Sequence, residues 1–109
     1  MHFWGYNNLV YEWDEAKRRA NLAKHGVDFA LIWRFDWQRA VIERDGRRDY
    51  GEERFCATGI ADGRPYRVAY THRGAATRVI SMRRANKREA RDYEQESQRK
   101  APVIPDADG

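Results

Sequence analysis

The chain has 109 residues, 21 of them Lys or Arg and 17 Asp or Glu, for a net charge of +4. That length suits one compact domain, and four Trp, six Tyr and four Phe are too many aromatics for a disordered chain of this charge. A single cysteine, Cys56, excludes an internal disulfide framework, and His2, His25 and His72 lack the spacing of metal ligands.

No apolar run approaches the ~20 residues needed to span a bilayer. The opening "MHFWGYNNLVY" lacks a basic start and a small-residue cleavage site, so no signal peptide is expected and the cytoplasm is the default location. The basic balance is compatible with a phosphate-bearing partner without requiring one.

Residues 1–10 show no clear period and read as an N-terminal extension, possible disorder included. The domain is expected over residues 11–98, and residues 99–109, ending "APVIPDADG", read as a tail. Residues 10–13 suit a short strand. Asp14 is placed to cap the helix "EAKRRANLAKH", in which Ala16, Ala20 and Ala23 form a narrow apolar stripe. Gly26 stands where a left-handed C-cap is wanted, with Lys24 and His25 in the favourable last turn. Asp28 then caps a second short helix, "FALIWRF", and Val27 with Ile32 matches a hydrophobic staple.

Beyond residue 38 the period changes. "AVIER" is a short strand, "DGRRDYGEE" a polar connection, and "RFCATGI" a strand leading to Asp62-Gly63, a strong hairpin signal. "RPYRVAYTHR" is its partner, Gly74 marks a turn, and "TRVISMRR" is the last strand. A helix from about Asn86 to Lys100 follows, with Ala85, Ala90 and Tyr93 as a thin apolar seam and Arg88 and Asp92 spaced as an i, i+4 pair. The expected fold is therefore α+β: two N-terminal helices, an antiparallel twisted sheet of three to four strands, and a C-terminal helix, with the helices on one side.

Side chains alternate across a strand. Tyr66, Val68, Tyr70 and His72 share one face, opposite Arg67, Ala69, Thr71 and Arg73. By the same parity Arg78, Ile80, Met82 and Arg84 oppose Thr77, Val79, Ser81 and Arg83. The first set of each strand is apolar at its centre and suits helices beneath it. Arg84 then lies at the rim of the covered face, while Arg83 lies beyond Ser81 on the open one. An open face carrying hydroxyls and guanidinium groups suits phosphate, because arginine offers a fixed fork of donors and keeps its charge.

The blocks "YEWDEAKRRANLAKHGVDF", "DYGEERF", "YTHRG" and "RVISMRRANKREARDYE" resemble the BrnT family of toxins from bacterial type II toxin–antitoxin systems, over about Tyr11 to Glu94. The resemblance implies a RelE-like fold and a metal-independent endoribonuclease that arrests growth by cutting RNA, with no cofactor. It also implies a tightly bound antitoxin with a ribbon-helix-helix DNA-binding part, a heterotetramer formed through the antitoxin dimer, and operator DNA reached only through that antitoxin.

Metal-free RNA cleavage needs a base for the 2′-hydroxyl proton and cations over the non-bridging oxygens. The expected catalytic residues are Glu53 as base, with Arg73 and Arg83 as cations. The expected RNA contacts are Lys24, His25, Arg54, Thr71 and Ser81. Lys24 serves equally as a solvated cation, His25 as a helix-terminal one, and Glu53 as a loop-edge carboxylate. His72 reads as a rim histidine, Trp13 as core and Cys56 as a small buried strand residue. Two other classes fit the residues alone: a nucleic-acid-binding module without catalysis, and a module whose arginines meet an acidic protein partner.

Overall fold

In the computed structural model, which describes residues 10–47 and 49–100, the Asp14 carboxylate accepts a hydrogen bond from the Lys17 amide at 3.1 Å. It thereby caps α1 (Glu15–His25), and Gly26 closes that helix in the left-handed conformation. β1 (Val10–Glu12) precedes α1. Residues 1–9 and 101–109, which hold most of the expected extension and tail, lie outside the described residues.

The second expected helix is one 3₁₀ helix, Phe29–Arg34, with Asp28 bonded to the Ala30 amide at 3.0 Å. The reason is the spacing of its apolar residues. Phe29, Ile32 and Phe35 are all buried and recur every three positions, the period that aligns side chains on a 3₁₀ helix. Phe35 itself is extended and bridges to Ala61.

Four further strands follow: β2 (Val41–Arg44), β3 (Arg54–Ala61), β4 (Arg64–Arg73) and β5 (Ala76–Arg84), then α2 (Lys87–Lys100). They form a five-stranded sheet in the order β1-β5-β4-β3-β2. The sheet is mixed, because β1 runs parallel to β5 while the other neighbours are antiparallel. This corrects the expectation of two N-terminal helices and three to four antiparallel strands. Three residues of β1 contain no alternation long enough to announce a partner. Its register is pinned instead by Glu12, whose carboxylate accepts from Arg78 at 3.0 Å, the residue directly opposite it.

The β3–β4 hairpin turns at Asp62 and Gly63, both at positive φ (49° and 77°). That is the mirror-image turn whose twist matches paired strands. Gly59 is required for another reason: a Cβ there would lie 2.7 Å from the Phe35 ring. The core sits between this face of the sheet and the α1/3₁₀ layer, and includes Phe29, Ile32, Val68, Tyr70, Val79 and Met82. Trp13 packs edge-on against Phe29 and belongs to the same layer. α2 does not join it. Its Glu89 and Tyr93 line a cavity with Val41, Thr58 and Arg67 on the opposite face of the sheet, so a helix also lies against part of that side.

α1 packs with a polar residue inward. Asn21 is its buried residue, whereas Ala16, Ala20 and Ala23 are exposed, contrary to the expected stripe. The Asn21 side chain accepts from the Met82 amide (3.1 Å) and donates to the Met82 carbonyl (2.7 Å) and the Val27 carbonyl (2.9 Å). β1 pairs only with residues 76–78 of β5, so beyond that point no strand among the described residues lies on that edge of β5. One side-chain amide replaces the missing rung, because a buried backbone group left unpaired is costly.

Asn21→Ala leaves those three backbone groups without their partner. Its unfolding free energy, read from urea denaturation, is expected to fall by about 3 kcal/mol. A loss below about 1 kcal/mol would show that the rung is dispensable.

Candidate functional site

β5 carries one residue more than β4 can pair. Ala69 faces Ser81 and Tyr70 faces Val79, which leaves Ile80 in a bulge. A bulge of this kind shifts every residue on one side of it to the other face of the sheet. Thr77 and Val79 are therefore buried with Met82 in the core, and Arg78 faces outward with Ser81 and Arg83. Simple parity put Arg78 on the covered face and Thr77 and Val79 on the open one; the bulge reverses all three.

The registers then arrange the outward side chains in cross-strand rows. Val41, Thr58, Arg67 and Arg83 form one row; Glu43, Cys56, Ala69 and Ser81 form the next. A third holds Arg54, Thr71, Arg78 and Glu12, and Arg73 lies one row further along β4. Successive rows are about 7 Å apart, two residues along a strand. The second row has only small side chains at its centre, so it forms the floor of a trough. The resulting cavity of about 390 Å³ is lined by Glu43, Cys56, Arg67, Ala69, Ser81 and Arg83, with residues 44–47 on its rim.

At the first row the guanidinium of Arg83 donates two parallel hydrogen bonds to Glu89 of α2, both 2.8 Å. Arg67 lies 3.4 Å from the same carboxylate and 3.5 Å from Glu43, and it donates to the Thr58 hydroxyl at 3.0 Å. Glu89 is itself fixed: its amide donates to Asn86 Oδ1 (2.7 Å) and its carboxylate accepts from the Asn86 amide (3.0 Å), a reciprocal cap at the start of α2. Hydrogen bonding by Arg83 holds the Glu89 carboxyl below its usual range, and Glu89 raises Arg83 in return. Beside the trough, Asp45 is held at about 2 by its hydrogen bonds to Arg47. Cys56 is moved the other way, its thiol raised by burial.

The far end of the face is built differently. Arg54 lies over the Tyr50 ring, 4.1 Å from its centroid. Arg54 and Arg73 each approach Glu52 at 3.6 Å, beyond hydrogen-bonding distance. The Thr71 hydroxyl is buried and donates to the Glu53 carbonyl at 2.6 Å.

The residues expected from the sequence thus separate into four places. Arg83 and Ser81 meet in the trough. Arg54 and Arg73 lie at the far end, with Arg73 about 20 Å from Arg83 by strand rise, so the two arginines cannot hold one phosphate. Glu53 has the opposite parity to Arg54 and pairs with Arg44 at 3.4 Å, outside the trough. Lys24 and His25 end α1, on the other side of the sheet. His72 is an exposed rim residue against Phe55 and Tyr70.

Arg67, Glu43 and Glu89 were not singled out by sequence reasoning. Arg67 needed the β4–β5 register, which local pattern does not carry. Glu89 had a local signal, the Asn-x-x-Glu spacing of a helix cap from Asn86. Among the described residues, no group of three or more His, Cys, Asp or Glu is arranged to hold a metal ion, and no helix is long and apolar enough to cross a membrane.

Arg54, Arg67, Arg73, Arg78 and Arg83 thus share one sheet face of a small basic domain, and Arg67 and Arg83 border its floor of small residues. Residues 13–89 match the model of the ribonuclease toxin BrnT of type II toxin–antitoxin systems, and the chain belongs to that family. Membership implies an antitoxin partner. No curated protein matches the chain.

The Arg83–Glu89 pair makes stability depend on pH with a definite sign. Glu89 has a folded pKa below its ordinary 4.5, so its contribution is complete above that value and is lost as pH falls through the lower folded one. Glu89→Gln is expected to be less stable than wild type by about 1 kcal/mol at neutral pH. That gap should close in acid titrations followed by urea denaturation. A gap independent of pH would contradict the pairing.

Proposed function

We propose that this chain is an endoribonuclease toxin that cleaves RNA without a metal ion, with the scissile phosphate held over Ser81 between Arg67 and Arg83. The observation that carries the reading is the apposition of those two arginines above a floor of small residues, in a chain of a ribonuclease toxin family.

The 2′-hydroxyl attacks the adjacent phosphorus and the bond to the 5′-oxygen breaks, giving a cyclic phosphate and a 5′-hydroxyl. The two guanidinium groups meet the charge that builds on the non-bridging oxygens, the interaction that most lowers such a barrier. Glu43, exposed at the trough wall and 3.5 Å from Arg67, accepts the 2′-hydroxyl proton, and water supplies the proton for the departing oxygen. Glu89 touches no substrate; it is a positioning residue that keeps the Arg83 fork in one orientation. Glu53 takes no part in this reading, nor do Lys24, His25 and Thr71.

The antitoxin is inferred to be a ribbon-helix-helix protein whose dimer binds two toxins and carries them to operator DNA, while the toxin itself works in the cytoplasm. Membership of a type II toxin family supports an antitoxin as the partner.

Wild-type protein expressed from a tight inducible promoter is expected to arrest growth, with new RNA fragments ending in cyclic phosphate. Arg83→Ala should slow cleavage by about 10²–10³-fold and relieve the arrest, with the circular dichroism spectrum unchanged. Undiminished cleavage by folded Arg83→Ala would overturn the assignment.

A further inference from the structure

Two of the acidic residues that meet arginines on the open face, Glu89 and Glu52, are held in opposite ways. Glu89 is bound to Arg83 by two hydrogen bonds of 2.8 Å and is locked into a helix cap. Glu52 stands 3.6 Å from both Arg54 and Arg73 and hydrogen-bonds to neither. The Nε of Arg54 is buried and makes no hydrogen bond among the described residues. A buried N–H donor without a partner is costly, so the resting arrangement leaves binding capacity unused. The stem of Arg54 is nevertheless fixed, with its guanidinium lying over Tyr50. Arg73, half exposed, is at the end of β4 and open to solvent.

The geometry points to a second phosphate-binding subsite at Arg54 and Arg73, in which Glu52 is a displaceable counterion that an RNA phosphate replaces. This rests on the ribonuclease reading above, because it takes the strand lying in the trough as its ligand. Arg54 shares a row with Arg78 two rows from Arg83, and Arg73 lies one row beyond. The subsite is thus about 13–20 Å from the scissile position. It engages a phosphate several linkages away on an extended single strand, and it contributes to binding rather than to the chemical step. Arginine suits this role because a planar fork meets two phosphate oxygens at once. A carboxylate held at 3.6 Å competes weakly and keeps the two guanidiniums from repelling each other when no RNA is bound.

The test uses the full-length protein and a single-stranded RNA oligonucleotide made uncleavable by 2′-O-methylation, with affinity measured over a range of salt. A cleavage assay on the unmodified RNA runs beside it. Arg73→Ala is expected to weaken binding and to reduce the slope of log affinity against log salt by about 0.7, the loss of one single-strand phosphate contact. Glu52→Gln is expected to tighten binding, by up to about fivefold, the equivalent of one surface ion pair no longer broken on binding. An unchanged slope for Arg73→Ala, or unchanged or weaker binding for Glu52→Gln, overturns the subsite. If wild type cleaves the RNA while either result is seen, the ribonuclease reading survives and the subsite alone fails. If wild type neither binds nor cleaves, both fail.

Discussion

Ile80 has no partner across β4, and that one unpaired residue decides which side chains share the open face. Without it, Val79 and Thr77 would leave the core and Arg78 would enter it. The Glu12–Arg78 bond that aligns β1 with β5 would go with them. Hydrophobic burial holds the bulge in place. Val79 and Met82, three positions apart, are both essentially inaccessible to solvent, and a regular strand would put them on opposite faces. The lost ladder contact is offset by keeping Val79 in the core, where burying such a side chain is worth about 1.5–3 kcal/mol, and by keeping the Arg78 charge out of it.

The same strand links the core to the site. On one side Met82 takes its backbone partners from Asn21; on either side of it Ser81 and Arg83 project into the trough. The arginine that faces RNA in our reading is thus the chain neighbour of a residue fixed by both core burial and Asn21. Glu89 then removes the remaining freedom of its side chain. A guanidinium whose orientation is fixed before substrate arrives needs no reorganisation during reaction, which is what makes such groups effective.

Features set by neighbouring residues were legible in the sequence. Asp14 and Gly26 delimit α1, Asp62-Gly63 makes the hairpin, and the parity of β4 puts Arg67 and Arg73 on a face away from Val68 and Tyr70. Features set by distant residues were not. Pairing of β1 with β5 joins segments more than sixty residues apart, and three residues of strand carry no pattern that names a partner. The alanines of α1 recur with helical period yet stay exposed, whereas Asn21 is buried for its hydrogen bonds, which no apolar pattern announces. The expected site grouped Arg73 with Arg83, but only the register shows that Arg67, not Arg73, stands opposite Arg83. The family match over residues 13–89 agrees with the resemblance drawn from the sequence.

The central claim is that Arg67 and Arg83 act on one phosphate. A double-mutant cycle on the cleavage rate, with Arg67→Ala, Arg83→Ala and the double variant, tests it most directly. If both guanidiniums serve the same phosphate, removing the second after the first costs much less than removing it alone, as for catalytic groups that act as a unit. Strictly additive losses would mean that the two arginines act at separate points along the RNA, and the shared site would have to be abandoned.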